Sequence, residues 1–281
     1  MRETGRRHDR PHAESLREYG RGLAGGLLFS LPLLYTMEVW WAGFIAGPIR
    51  LLVFIAAVFA LLIGYNTYAG IRHDADWTDV FVDSVEEFGL GIITAAGLLV
   101  LLARTTSHMS FEEILGKIVI EAGVVAIGFS VGTAQLGAED EDRGKGPARE
   151  PGLMSQVVIS LCGAVLVAAN VAPTEEIVII AAEVGVPRLI ILIGLSVLLA
   201  VLILFFSNFR QAHRFAKAET RWHAVAGGVM TYAVAFAASA AILWFFGRFD
   251  TVQMEMVVAQ TVVLSLPATL GASAGRLLLQ S

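Results

Sequence analysis

Charge is scarce in this sequence: Asp, Glu, Lys and Arg make up 16% of its 281 residues, where a soluble domain carries about a quarter. Cysteine is scarcer still. Cys162 stands alone, which excludes a disulfide framework and a thiolate zinc site. The six histidines (His8, His12, His73, His108, His213 and His223) fall in tails, connections or span ends, which argues against a haem inside the chain. No HExxH stretch, P-loop, GxSxG elbow or CxxC pair occurs, so neither an enzyme nor a cofactor is implied. Lys and Arg (20) are outnumbered by Asp and Glu (25), which disfavours nucleic acid as a partner.

What the sequence has instead is apolar length. Hydrophobic residues are 56% of the total, with a mean hydropathy of +0.69. A helix needs about 20 such residues to cross a bilayer core of ~30 Å. Eight runs qualify: Leu23–Phe44, Ile49–Tyr68, Phe88–Ala103, Ile118–Leu136, Ser155–Ile180, Leu189–Ser207, Ala224–Phe246 and Val257–Leu279. The lipid bilayer is the first partner they imply, and the class is an all-α, polytopic membrane helix bundle.

The basic residues orient it, because Lys and Arg are retained on the cytoplasmic side. With both termini inside, fifteen of the 20 face inward: Arg2, Arg6, Arg7, Arg10, Arg17, Arg21, Arg72, Arg143, Lys145, Arg149, Arg210, Arg214, Lys217, Arg221 and Arg276. Arg50, Arg104, Lys117, Arg188 and Arg248 face outward. Trp40, Trp41, Trp222 and Trp244 fall at span ends, where interfacial aromatics belong. No signal peptide is read at the start, whose first spans carry Pro32 and Glu38.

The chain also matches itself. A shift of 138 carries Gly25 to Gly163, Thr36 to Thr174, Glu38 to Glu176 and Arg50 to Arg188; a shift of 137 carries Gly91 to Gly228, and one of 134 carries Glu121 to Glu255. The eight transmembrane helices are therefore expected as two parallel four-helix repeats, residues 23–138 and 154–281. A cytoplasmic tail, 1–22, precedes them, and a Glu-, Asp-, Gly- and Pro-rich linker, 139–153, joins them.

An acid inside the bilayer costs at least ~2.5–3.5 kcal/mol, so each one calls for a reason. Glu38 and Glu176, paired by the repeat, are the expected ion or proton site, with Glu175, Thr36, Thr174, Asn170 and Tyr35 around them. Pro32 and Pro173 are expected to break their helices and free carbonyls there. Glu121 and Glu255, placed within about a turn of the outer starts of their spans, are expected as an outer acidic entrance. The alternative for both is a helix N-terminus that favours an anion. Glycines 123, 128, 132, 137, 227 and 228 read as close helix packing.

On the inner side, Trp77, Val80, Phe81, Val85 and Phe88 form an apolar stripe among Asp74, Asp76, Asp79, Asp83, Glu86 and Glu87, expected as an amphipathic helix along the interface. Its repeat-mate carries Arg210, Arg214, Lys217 and Arg221 instead. The stretches Leu31-Pro32-Leu33-Leu34-Tyr35-Thr36-Met37-Glu38 and Asn170-Val171-Ala172-Pro173-Thr174-Glu175-Glu176 resemble a family of uncharacterised bacterial integral membrane proteins of about this length. That resemblance implies the bacterial inner membrane and no particular activity. The leading expectation is a cation channel or ion-coupled transporter acting on mono- or divalent cations or protons. The competing one is a scaffold or sensor whose charged inner loops recruit a cytoplasmic partner. Homo-oligomerisation and the identity of any metal stay open.

Overall fold

Proline and the breaks between apolar runs set most of the helix boundaries. In a computed structural model, which describes residues 12–69, 76–141, 152–211 and 219–278, the chain forms ten α-helices. They are α1 (His12–Leu34), α2 (Met37–Ile45), α3 (Pro48–Ala69), α4 (Trp77–Leu101), α5 (Phe111–Glu141), α6 (Leu153–Val171), α7 (Glu175–Glu183), α8 (Val186–Gln211), α9 (Glu219–Phe245) and α10 (Met254–Leu278). No strand occurs among the described residues. Seven helices are long and apolar enough to cross a membrane, and the count reaches eight when α1 and α2 are taken as one broken span.

The break falls just after Pro32, where one was expected, and divides the run Leu23–Phe44 into two helices. The two helices meet at 86°. Pro32 supplies no backbone N–H, and Thr36 is extended, at φ −98° and ψ 114°. The carbonyls left at the corner are taken up locally. The Thr36 hydroxyl donates to the Pro32 carbonyl (2.7 Å), and the Trp40 indole N–H donates to that of Leu34 (3.0 Å). The long fifth run also breaks, between α6 and α7 at Ala172–Thr174, where Pro173 sits.

Two other boundaries differ from the sequence reading. The stripe from Trp77 to Phe88 is the first part of α4, continuous with its span, and only Val80, Ser84 and Phe88 on it are buried. Helix α5 starts at Phe111, well before Ile118, and runs into the expected linker. Arg2, Arg6, Arg7, Arg10, Arg72, Asp74, Arg143, Lys145, Arg149, Arg214 and Lys217, together with His8, His73 and His213, lie outside the described residues.

Packing is centred on two helices. Helix α5 is held by α1, α2, α3 and α4, and α10 by α6, α7, α8 and α9. The α1–α5 group meets the other through α1, α3 and α5 against α6. Glycine makes the closest crossings possible. A Cβ on Gly25 would lie 2.5 Å from the Gly132 Cα and 2.6 Å from the Gly128 carbonyl, and one on Gly163 would lie 2.3 Å from the Gly271 carbonyl. With lipid as apolar as the side chains, such close contact is the main source of association between membrane helices.

Near the start of α3, Arg50 donates through one Nη to both carboxylate oxygens of Asp250 (2.7 and 2.8 Å) and lies 5.7 Å from the centre of the Trp244 ring. Asp250 follows Gly247, whose φ of +72° turns the chain between α9 and α10. Asp250 is 54% exposed. Asp250→Asn is therefore expected to cost less than about 1 kcal/mol, and less again in high salt. Thermal melts at low and high ionic strength check this.

Candidate functional site

Within the span Phe111–Ala134 of α5, 83% of the residues in the 18-residue apolar window are buried, against 17% in that of α8. Helix α5 is thus the most enclosed span, and near the middle of its window stands Glu121. Its side chain is 0% exposed, and neither carboxyl oxygen has a hydrogen-bond partner. This differs from the expected entrance position. The early start of α5 puts Glu121 about 15 Å along the helix, at ~1.5 Å per residue.

Lys117, one turn nearer the start of α5, does not serve as its counter-charge. Its ammonium donates to Glu113 Oε1 (2.8 Å), Met109 Sδ (3.4 Å) and the Arg104 carbonyl (3.5 Å). Across from α5, antiparallel α1 sets Gly26 on Val125 and Gly22 on Phe129. One turn further along the same register, Ser30 comes level with Glu121. Ser30 is also 0% exposed, with an unpartnered hydroxyl.

The other expected site residues are arranged differently. Glu38 is half-buried in the first turn of α2; Glu175 and Glu176 are exposed in the first turn of α7; Glu255 is exposed in the first turn of α10. Helix α2 packs on α5 and α7 on α10, so Glu38 and Glu176 are held by separate groups of helices. Thr174 turns its hydroxyl back to the Val171 carbonyl (2.9 Å), as Thr36 does to Pro32, and neither caps the helix after it. Tyr35 is 68% exposed.

The Pro173 break is filled by protein groups. Arg248 donates to the Ala172 carbonyl (3.3 Å) and to that of Pro173. Asn170 donates to Leu166 within α6 (2.6 Å) and to the Phe29 carbonyl of α1 (2.9 Å), tying the two groups of helices together. A cavity between those groups, about 60 Å³, is apolar and lined by Phe29, Tyr65, Ile159 and Leu166 among others.

Sequence reasoning missed a second polar cluster. Asn66 of α3 donates to Ser84 Oγ (3.2 Å) and Glu87 Oε2 (2.8 Å) of α4, and Ser130 of α5 donates to Asn66 Oδ1 (2.9 Å). These residues lie far apart in sequence, and only the packing of three helices joins them. The one usable signal was an Asn inside an apolar run, which needs a partner when buried.

The model of the family "Putative integral membrane protein (DUF2391)" matches residues 18–279. The chain belongs to that family. No curated protein and no solved structure matches it. The DUF2391 match spans all ten helices' apolar parts and includes Glu38, Glu87, Glu121, Glu176 and Glu255. The family identifies a multi-pass integral membrane protein, so chemistry has to be read from the side chains. Carboxyl, hydroxyl and amide groups enclosed between membrane helices can pass a proton or strip water from a cation.

Proposed function

We propose that this protein is an ion-coupled transporter or channel of the bacterial inner membrane, with both termini in the cytoplasm, and that Glu121 is its central proton- or cation-exchanging group. One observation carries the reading: a carboxyl group enclosed mid-span in the most buried helix, with no partner. Intramembrane acids of that kind are rare and by default functional. Glu38, half-buried, and Glu175, Glu176 and Glu255, exposed, all in first turns at the outer end, serve in this reading as an acidic mouth, where the helix dipole also favours them.

The same reading includes a duplication into two parallel four-span repeats. Its support is the matched order of helices and the shared crossing, Gly25 on Gly128 and Gly132, Gly163 on Gly271 and Gly275. These glycines set the offset of the last helix at 143, in place of 134. Glu255 then corresponds to Glu112, and Glu121 to Leu264. The central acid belongs to the first repeat alone, and transport runs through α1, α4 and α5.

The test is flux into liposomes carrying the purified protein, across a panel of monovalent and divalent cations with a pH dye inside. Wild type is expected to move protons or cations above the empty-liposome background, and Glu121→Gln to lose at least tenfold of that rate. Glu38→Gln and Glu176→Gln are expected to lose less than Glu121→Gln. Flux undiminished in Glu121→Gln would overturn the assignment; no wild-type flux under either sign of potential would favour a scaffold that recruits a cytoplasmic partner.

A further inference from the structure

We propose that Asn66, Ser84, Glu87 and Ser130 form a binding site for one small monovalent cation in the inner part of the α3, α4 and α5 packing. The argument begins with cost. Ser84 and Ser130 are 0% and 2% exposed, and Asn66 and Glu87 are half-buried. A layer of apolar side chains would seal these three helices without any polar group to satisfy. The chain instead gathers a carboxylate, an amide and two hydroxyls.

The hydrogen bonds identify what the cluster accepts. The Asn66 amide N–H₂ reaches both Glu87 Oε2 and Ser84 Oγ. It stands where a cation would stand and contacts the oxygens that would hold one. Ser84 gives its own proton to the Val80 carbonyl (2.8 Å), which leaves its lone pairs facing the cluster. A half-turn of the Asn66 amide would exchange N for O on that side and add a further oxygen ligand. Ser130, which now donates to Oδ1, can equally accept from Nδ2, so the turn keeps a hydrogen bond there.

Charge then limits the occupant. One carboxylate balances one positive charge, and the other three groups are neutral. A divalent ion would keep an uncompensated charge in a low-dielectric site; Mg²⁺ also demands near-octahedral oxygen at ~2.0–2.1 Å and gives up water reluctantly. Access is from the inner end, where Asp76, Asp79, Asp83 and Glu86 stand on the first turns of α4 and attract cations. The Tyr19 hydroxyl of α1 donates to Glu86 there, and Arg17 and Arg21 stand on the same inner stretch of α1.

The second group of helices offers a parallel. On the 143 offset of the last helix in the proposed duplication, Ser130 corresponds to Ser273 and Thr133 to Arg276. Arg276 is 6% exposed, and its guanidinium donates to the Gly227 carbonyl (2.9 Å), Thr231 Oγ1 (2.7 Å) and Gln156 Oε1 (2.6 Å). Where the second repeat holds a covalent cation among neutral oxygens, the first presents oxygens and a carboxylate. This parallel and the site's role in coupling rest on the transporter reading; the binding itself does not.

The deciding experiment is ²²Na⁺ binding to the purified full chain by scintillation proximity, with K⁺, Li⁺, Ca²⁺ and Mg²⁺ as competitors. Saturable binding is expected, displaced by Na⁺ or Li⁺ at concentrations at which Ca²⁺ and Mg²⁺ have no effect. Glu87→Gln and Ser130→Ala are each expected to weaken it at least tenfold. Should Glu87→Gln fail to fold, Ser130→Ala and Asn66→Asp decide, the latter expected to turn competition toward Ca²⁺ by adding a second carboxylate. Absent ²²Na⁺ binding, equal displacement by Ca²⁺ in wild type, or undiminished binding in the variants would overturn the site. Binding without flux leaves the site standing and removes the transport reading; flux without binding does the reverse.

Discussion

Glu121→Leu is expected to raise the melting temperature of the purified protein and at the same time to abolish its flux. The carboxyl group is 0% exposed and unpartnered. A buried polar group left without a hydrogen bond costs about 1–3 kcal/mol on mutational scales. Leucine removes that cost and keeps comparable volume among the apolar neighbours of α1 and α5, so stability should rise by about that amount. An acid retained for architecture would behave in the opposite way, with stability falling and flux persisting.

The intermediate substitutions sharpen the distinction. Glu121→Gln keeps the shape and the unsatisfied polar atoms, so it should melt close to wild type while losing flux. Glu121→Asp withdraws the carboxyl by one methylene and should retain part of the rate, because the group that exchanges is still present. A fall in melting temperature for Glu121→Leu would mean that the carboxyl has a stabilising partner in the membrane, and the exchange role would go with it. Stability given up at a working site is the usual trade.

How much of this was legible in the sequence depends on how local its cause is. The spans were, because bilayer thickness fixes the length of an apolar run. The α6–α7 break was too, since Pro173 lies in a run too long for one crossing. A break at Pro32 was expected as well, but its right angle was not legible: a proline in a membrane helix commonly gives only a kink, and the corner depends on Thr36 and Trp40 taking the freed carbonyls. Glu121 read as lying near a span start because the apolar run was begun at Ile118, just after Lys117, whereas α5 begins at Phe111. The i,i+4 spacing of Glu113 and Lys117 was the available hint, as the two pair and remain in the helix (2.8 Å).

The register of the proposed repeat reads differently from sequence and from helix crossings. Apolar helices match in many registers, and the 134 alignment was attracted by the carboxylates of Glu121 and Glu255. Helix crossings are stricter, because two backbones approach closely where a glycine leaves room for the partner. For Asn66, Ser84, Glu87 and Ser130 the sequence offered only the Asn inside an apolar run, as no spacing rule links residues on three helices.

Gly163→Leu is expected to abolish the folded protein, and Gly163→Ala to destabilise it markedly. The Cβ of either would fall 2.3 Å from the Gly271 carbonyl, and a Cβ on Gly271 would fall 2.4 Å from the Gly163 carbonyl. Both obstructions are backbone, so no rotamer relieves them and α6 and α10 must move apart. Overpacking typically costs about 1–3 kcal/mol, and more when the backbone has to shift. The lost contact is not replaced by a hydrophobic gain, because lipid fills the gap with equally apolar chains. Gly97 is the control: nothing lies within 4 Å of its Cβ position, and Gly97→Ala should gain about 0.5–1 kcal/mol from helix propensity. Size-exclusion profiles and melts of the three variants in one detergent make the comparison. Equal behaviour of Gly163→Ala and Gly97→Ala would remove the α6–α10 crossing, and with it the glycine register that leaves Glu121 without a counterpart.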